Sequence, residues 1–178
     1  MTHSISVILL VFCWTTSMAC DCREVKDLKK VQREHFEIFP LIFVGAVDQL
    51  NDDGTYTFKL IELFKGNPSD SLIHGKPEGY CYSAPRESDY MWLVYATPND
   101  DGSITIESCS LSRSYYFPYI SNEKVAVPPP SLFYNDNEDK TIMLLEAEIA
   151  TFDYKERALN VLRAEIEQLR RWRDKKGS

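Results

Sequence analysis

Four of the chain's five cysteines have types and spacings that could do chemistry. Cys20 and Cys22 flank Asp21, while Cys81 and Cys109 stand alone far downstream. Four thiols can hold zinc, run a redox cycle or pair into disulfides. Zinc sites favour close ligand pairs such as C-x-x-C, and C-x-C followed by two isolated cysteines does not supply them. Redox thiols need a strand-to-helix setting, and nothing near residue 20 has that pattern. Two structural disulfides remain, in one of three pairings that sequence alone does not distinguish.

The stretch before Cys20 decides what kind of end it makes. Residues 5–14 are mostly apolar but shorter than the roughly 20 residues that cross a bilayer core. Ser17 and Ala19 are small where a signal peptidase inspects the chain. Residues 1–19 therefore read as a secretory signal, and cutting before Cys20 discards Cys13, leaving an even set of four cysteines for an oxidising, extracytoplasmic compartment. The mature chain would begin with a half-cystine and a free α-amino group. The alternative is a lipid-anchored envelope protein acylated at Cys20, the one case in which a membrane partner is expected. Ser17 stands where such a signal has a large aliphatic residue, and acylation would strand one thiol.

Other residue types point to little chemistry. His35 and His74 are isolated and read as ordinary surface or satisfied histidines, and Asp52, Asp53, Asp100 and Asp101 sit in turn sequences. There is no nucleophile paired with a base and no phosphate-binding loop, so neither an enzyme nor an intrinsic metal or cofactor is expected. A net charge of −7 argues against nucleic acid, whose phosphates need clustered Lys and Arg.

The cysteines need a frame. Residues 23–35 lack Gly and Pro and place Val25, Leu28 and Val31 or Gln32 near one face, predicting a short outer helix. Leu41-Ile42-Phe43-Val44-Gly45-Ala46-Val47 predicts a strand buried on both faces or bent at Gly45. After the turn Asn51-Asp52-Asp53-Gly54, residues 56–64 complete a hairpin. A third strand is expected at 71–74, a loop around Cys81 at 75–89, and a fourth strand at 90–96. A second Asn-Asp-Asp-Gly turn then leads to a fifth at 103–109. Five short strands with no helix between them predict a mainly β fold, a five-stranded antiparallel OB-type Greek-key barrel with flanking helices.

Residues 114–137 form an irregular connector, with Tyr115-Tyr116-Phe117-Pro118-Tyr119 expected as a lid on the barrel and Pro128-Pro129-Pro130 as a stiff spacer. Residues 138–176 form a helical segment. Ile142, Leu145, Ile149 and Phe152 step at helical spacing, and Leu159, Leu162, Ile166 and Leu169 repeat the steps after a phase shift. The shift predicts a break near 151–154, with Asp153 and Glu156 spaced to cap a second helix. The stripe is expected to pack on the domain; the alternative is an arm that binds a protein partner.

Several of these features together resemble a known family. They are Cys20-x-Cys22 after a signal, a helix, a strand pair ending in Leu63-Phe64-Lys65-Gly66, the loop Cys81, and the last two strands with Cys109 closing the second. The family is the tissue inhibitors of metalloproteinases, specifically their N-terminal netrin-like domain, and the likeness spans residues 20–113. It implies an OB barrel with bridges Cys20–Cys81 and Cys22–Cys109. It further implies a secreted inhibitor in which the Cys20 amine and carbonyl chelate a metalloprotease's catalytic zinc and Asp21 enters the specificity pocket. Two features depart from the family: its third disulfide in this domain is absent, and a helix replaces its cysteine-rich C-terminal domain. The acidic residue at 21 is a third departure, since a carboxylate in a largely apolar pocket costs several kcal/mol unless paired. A protease with a basic pocket would remove that cost. The alternative function is a non-inhibitory netrin-like module that binds a protein through the barrel or the C-terminal helices.

Overall fold

The computed structural model describes residues 20–86, 91–120 and 137–176, with side chains from residue 144 onward in the last span. The expected leader at 1–19, Tyr90 and Pro128-Pro129-Pro130 lie outside the described residues.

Strand β1 (Leu41–Leu50) explains why its sequence is apolar without alternation. Leu41, Phe43 and Val47 point into the barrel with Tyr56, Phe58, Ile73, Val94, Ala96, Ile104 and Ile106. Ile42 and Val44 point the other way, into a second core shared with two helices. Both faces are buried, and the register with β2 (Tyr56–Lys65) slips at Val44/Gly45. A Cβ at Gly45 would sit 2.9 Å from the Phe43 ring, so the bend and the double burial occur together.

β1 pairs antiparallel with β2 and with β5 (Met91–Pro98). β2 pairs antiparallel with β3 (Leu72–Gly75), and β5 with β6 (Ile104–Glu107). The ring closes where β3 and β6 run parallel, with Gly75 opposite Ile104. The result is a closed five-stranded barrel of mixed pairing, which corrects the purely antiparallel expectation. The reason is parity: directions can alternate all the way round a closed ring only if the strand number is even, so five strands force one parallel neighbour pair. At this seam any side chain on residue 75 would overlap the Tyr56 ring. Two-residue strands, β4 (Tyr82–Ser83) beside β6 and β7 (Arg113–Ser114) beside β5, extend the sheet.

Both Asn-Asp-Asp-Gly turns are self-supporting. Asp53 Oδ1 accepts from the Thr55 backbone and hydroxyl, Asp101 Oδ1 does the same for Ser103, and Gly54 and Gly102 supply positive φ.

Helix α1 (Leu28–Ile38) starts five residues later than the sequence pattern predicts, because Asp27 accepts from Lys30 N at 3.1 Å and caps it. It ends at Ile38, since Pro40 forces the next residue, Phe39, out of the helical region. Phe36 packs its ring 5.0 Å from Trp172, so α1 meets α2 in the core that both share with the barrel.

Helix α2 (Asn137–Lys176) is continuous, so the expected break at 151–154 is absent and Asp153 and Glu156 lie within the helix. The phase shift marks a change of surroundings instead. Leu144, Leu145, Ile149 and Phe152 are exposed, and so is Leu159 of the predicted second stripe, whereas Leu162, Ile166 and Leu169, with Ala158, are buried against the barrel. The aromatic segment after β7 helps hold the junction. Tyr119 stacks on Tyr154 at 4.6 Å, and Lys155 lies over the Tyr116 ring. Among the described residues no helix is long and apolar enough to cross a membrane.

Candidate functional site

Residues 20–22 form a short N-terminal arm tied to the barrel by two bridges. Cys20 joins Cys81 with Cα atoms 5.6 Å apart, and Cys22 joins Cys109 at 5.2 Å. This is the pairing that the family resemblance implies. The two partner cysteines are brought side by side by β4 and β6, where Tyr82 faces Glu107 and the Ser108 amide donates to the Cys81 carbonyl at 3.1 Å. Residues two apart on an extended segment project to the same side. C-x-C is therefore a spacing that lets residues 20–22 reach two adjacent strands, and the middle residue, Asp21, is left exposed.

Asp21 is exposed and makes no hydrogen bond or ion pair among the described residues. Two aromatic neighbours flank Cys81. Tyr80 is 84% exposed and Tyr82 is also exposed, so the ridge runs from the arm across Tyr80-Cys81-Tyr82. The sequence pattern does not single out these two tyrosines. Their only signal is their position beside the partner of Cys20.

Behind the arm, a hollow of about 370 Å³ is lined by Asp21, Cys22, Val25, Val31, His35 and Cys109. His35 Nδ1 is buried there without a hydrogen-bond partner among the described residues. Burial pulls its pKa below the ordinary 6.5, against the opposing pull of Glu165, which favours neutral imidazole. Its ring packs edge-on against Phe39 and Tyr95. It packs on the core with one nitrogen unpartnered, unlike the surface or satisfied histidine that its isolation in sequence predicts. His74, by contrast, is exposed and paired with Thr57 Oγ1 at 3.0 Å.

The frame under the ridge is fixed by a buried ion pair. Glu165 on α2 is 1% exposed. It accepts from Arg113 on β7 at 2.9 Å, from the Tyr95 hydroxyl on β5 at 2.6 Å and from Gln32 on α1 at 2.9 Å. Arg113 also donates to the carbonyls of Leu111 and Pro118. Burial, then the Glu165 carboxylate, push the Tyr95 hydroxyl well above its ordinary pKa, so it remains a donor. One carboxylate thus joins α1, the barrel and α2. On the outer rim Glu62 of β2 takes Arg170 and Arg173, and the Arg170 hydrogen bond is the main cause of its lowered pKa.

Fold and site define a class: a β-barrel with an exposed, disulfide-pinned N-terminal arm, of the kind that folds outside the reducing cytoplasm. No protein-family model matches the chain, and no curated protein sequence matches it. Among the described residues no group of three or more His, Cys, Asp or Glu is placed to hold a metal ion.

Proposed function

We propose that the chain is a secreted inhibitor of zinc metallopeptidases, built on a netrin-like OB barrel and acting through the N-terminus of Cys20. The observation that carries this is the arm itself, since its first cysteine is tied to the barrel edge by one bridge and its second neighbour by another. A catalytic zinc keeps one position open for water. A free Cys20 amine and its own carbonyl, held at fixed spacing, can take that position as a chelate. The amine must be neutral to bind, and direct coordination to zinc favours loss of its proton. Each bridge closes a long loop and restrains the unfolded chain by about 4 kcal/mol in the chain-entropy description. The same restraint lowers the entropy cost of docking.

The five-stranded ring supports the OB-type reading, and so does its thin closure through a single β3–β6 pair, since OB barrels are partly open. The Cys20 sulfur sits in a bridge, so acylating it would leave Cys81 without its partner. The test compares the chain beginning at Cys20 with a form carrying one added Ala before it, assayed against a panel of zinc endopeptidases. The extended form is expected to lose inhibition. Equal inhibition by the two forms would refute the chelation reading.

A second reading is a protein-binding module that docks through α2. It is favoured by the exposed Leu144, Leu145, Ile149 and Phe152, and it does not require a free amine.

A further inference from the structure

We infer that Asp21 makes this arm selective for zinc endopeptidases whose specificity pocket is cationic, those that cleave on the N-terminal side of acidic residues. The inference rests on the chelation reading above and adds to it the class of target.

It follows from where a zinc-bound carbonyl leaves the next residue. A zinc peptidase polarises the carbonyl of the bond it cuts, and the residue after that carbonyl lies on the leaving-group side. When the Cys20 carbonyl takes the same place on zinc, Asp21 takes the place of that next residue. The fold gives it little other choice. Cys20 and Cys22 are both pinned to the barrel, and the side chain between them stays exposed at the rim of the hollow it helps line. It is exposed and without a partner among the described residues. No ion pair to Asp21 forms among the described residues, and the chain as a whole carries −7.

A bare carboxylate entering an aliphatic pocket loses its water and gains nothing in return. Entering a pocket that holds Arg or Lys, it forms a desolvated charge pair, and truncating one partner of such a pair weakens binding by about 30-fold to several thousandfold. The acidic overall charge adds long-range attraction toward a basic cleft, which speeds association and weakens with salt. Tyr80 and Tyr82 line the same ridge and offer aromatic surface at the rim, which does not depend on the pocket's sign.

The experiment uses the disulfide-bonded chain beginning at Cys20 and two zinc endopeptidases chosen by their cleavage of fluorogenic peptides. One cuts before Asp and not Leu; the other cuts before Leu and not Asp. Wild type, Asp21→Asn, Asp21→Leu and the Ala-extended form are titrated against both. The expected result is tight inhibition of the first enzyme by wild type, weakened about a hundredfold or more by Asp21→Asn, with Asp21→Leu shifting preference to the second. Wild type inhibiting both enzymes equally would overturn the inference, as would an Asp21→Asn variant as potent as wild type. If wild type inhibits neither enzyme while Asp21→Leu inhibits the second, the cationic-pocket inference fails and zinc chelation stands. If no variant inhibits either enzyme, or the Ala-extended form is as potent as wild type, chelation itself fails and the inference falls with it.

Discussion

Replacing Glu165 with glutamine removes one charge from the interior and almost no volume. Glu165 and Arg113 have side chains 0% and 2% exposed, so neither charge can return to water without local unfolding. In Glu165→Gln the new amide can still accept from Tyr95 or Gln32, but the guanidinium of Arg113 keeps only the Leu111 and Pro118 carbonyls and loses its counter-charge. Breaking a buried pair in this way costs about 3–5 kcal/mol. In a chain of this size that is a fall in Tm of about 6–20 °C. Arg113→Met alone strands the carboxylate and should cost a similar amount. The double variant Glu165→Gln/Arg113→Met leaves no buried charge, so it should be more stable than the sum of the singles predicts by about 2–3 kcal/mol. Guanidinium unfolding with the disulfides intact measures all four species. Singles costing under about 1 kcal/mol, or a double equal to the sum of the singles, would refute the claim that this pair holds α2 to the barrel.

The remaining tests address pH, the seam and the ridge. His35 has a folded pKa below 6.5, so the unfolded chain binds more protons as pH drops through that value. Stability should therefore fall as pH is lowered below about 6.5 and on toward the folded pKa, and His35→Gln should flatten this part of the profile in urea titrations run at about pH 7.5 and about pH 5.5. Gly75→Ala forces Tyr56 aside at the parallel seam and is expected to cost about 1–3 kcal/mol, read by the same unfolding assay. Arg170→Ala removes an exposed partner of Glu62 and should change stability by less than about 1 kcal/mol. Tyr80→Ala should leave Tm unchanged but weaken protease inhibition, read as a higher inhibition constant.

Much of the barrel is legible in the sequence because its signals are local. Asn51-Asp52-Asp53-Gly54 and its repeat at 99–102 encode two hairpins by turn chemistry, and the unbroken apolar run in β1 encodes burial on both faces. The parallel β3–β6 seam is not encoded nearby; it joins Gly75 to Ile104 and follows from closure. α2 misleads because a change of apolar phase looks like a break, although an unbroken helix needs only a change of neighbours. Glu165 reads as one of several surface acids. Yet it lies three residues after Leu162 and four before Leu169, on the buried stripe itself, and that position is the available signal. At the candidate site the four cysteines and Asp21 stand out by type and spacing. Tyr80 and Tyr82 do not, since nothing in their local pattern marks them as the exposed aromatics they are.

The two bridges cross in sequence, Cys20 to Cys81 and Cys22 to Cys109. A single backbone cut anywhere between Cys22 and Cys109 therefore leaves one covalent molecule, because at least one bridge always spans the nick. A cut beyond Cys109 has no such safeguard, and α2 would then stay attached only through non-covalent contacts: the Glu165 cluster, the Glu62 ion pairs and its packing. The molecule is thus protected against a single cut across the barrel and unprotected at its C-terminal helix. On a non-reducing gel, nicked chains should migrate intact except when the helix has been released.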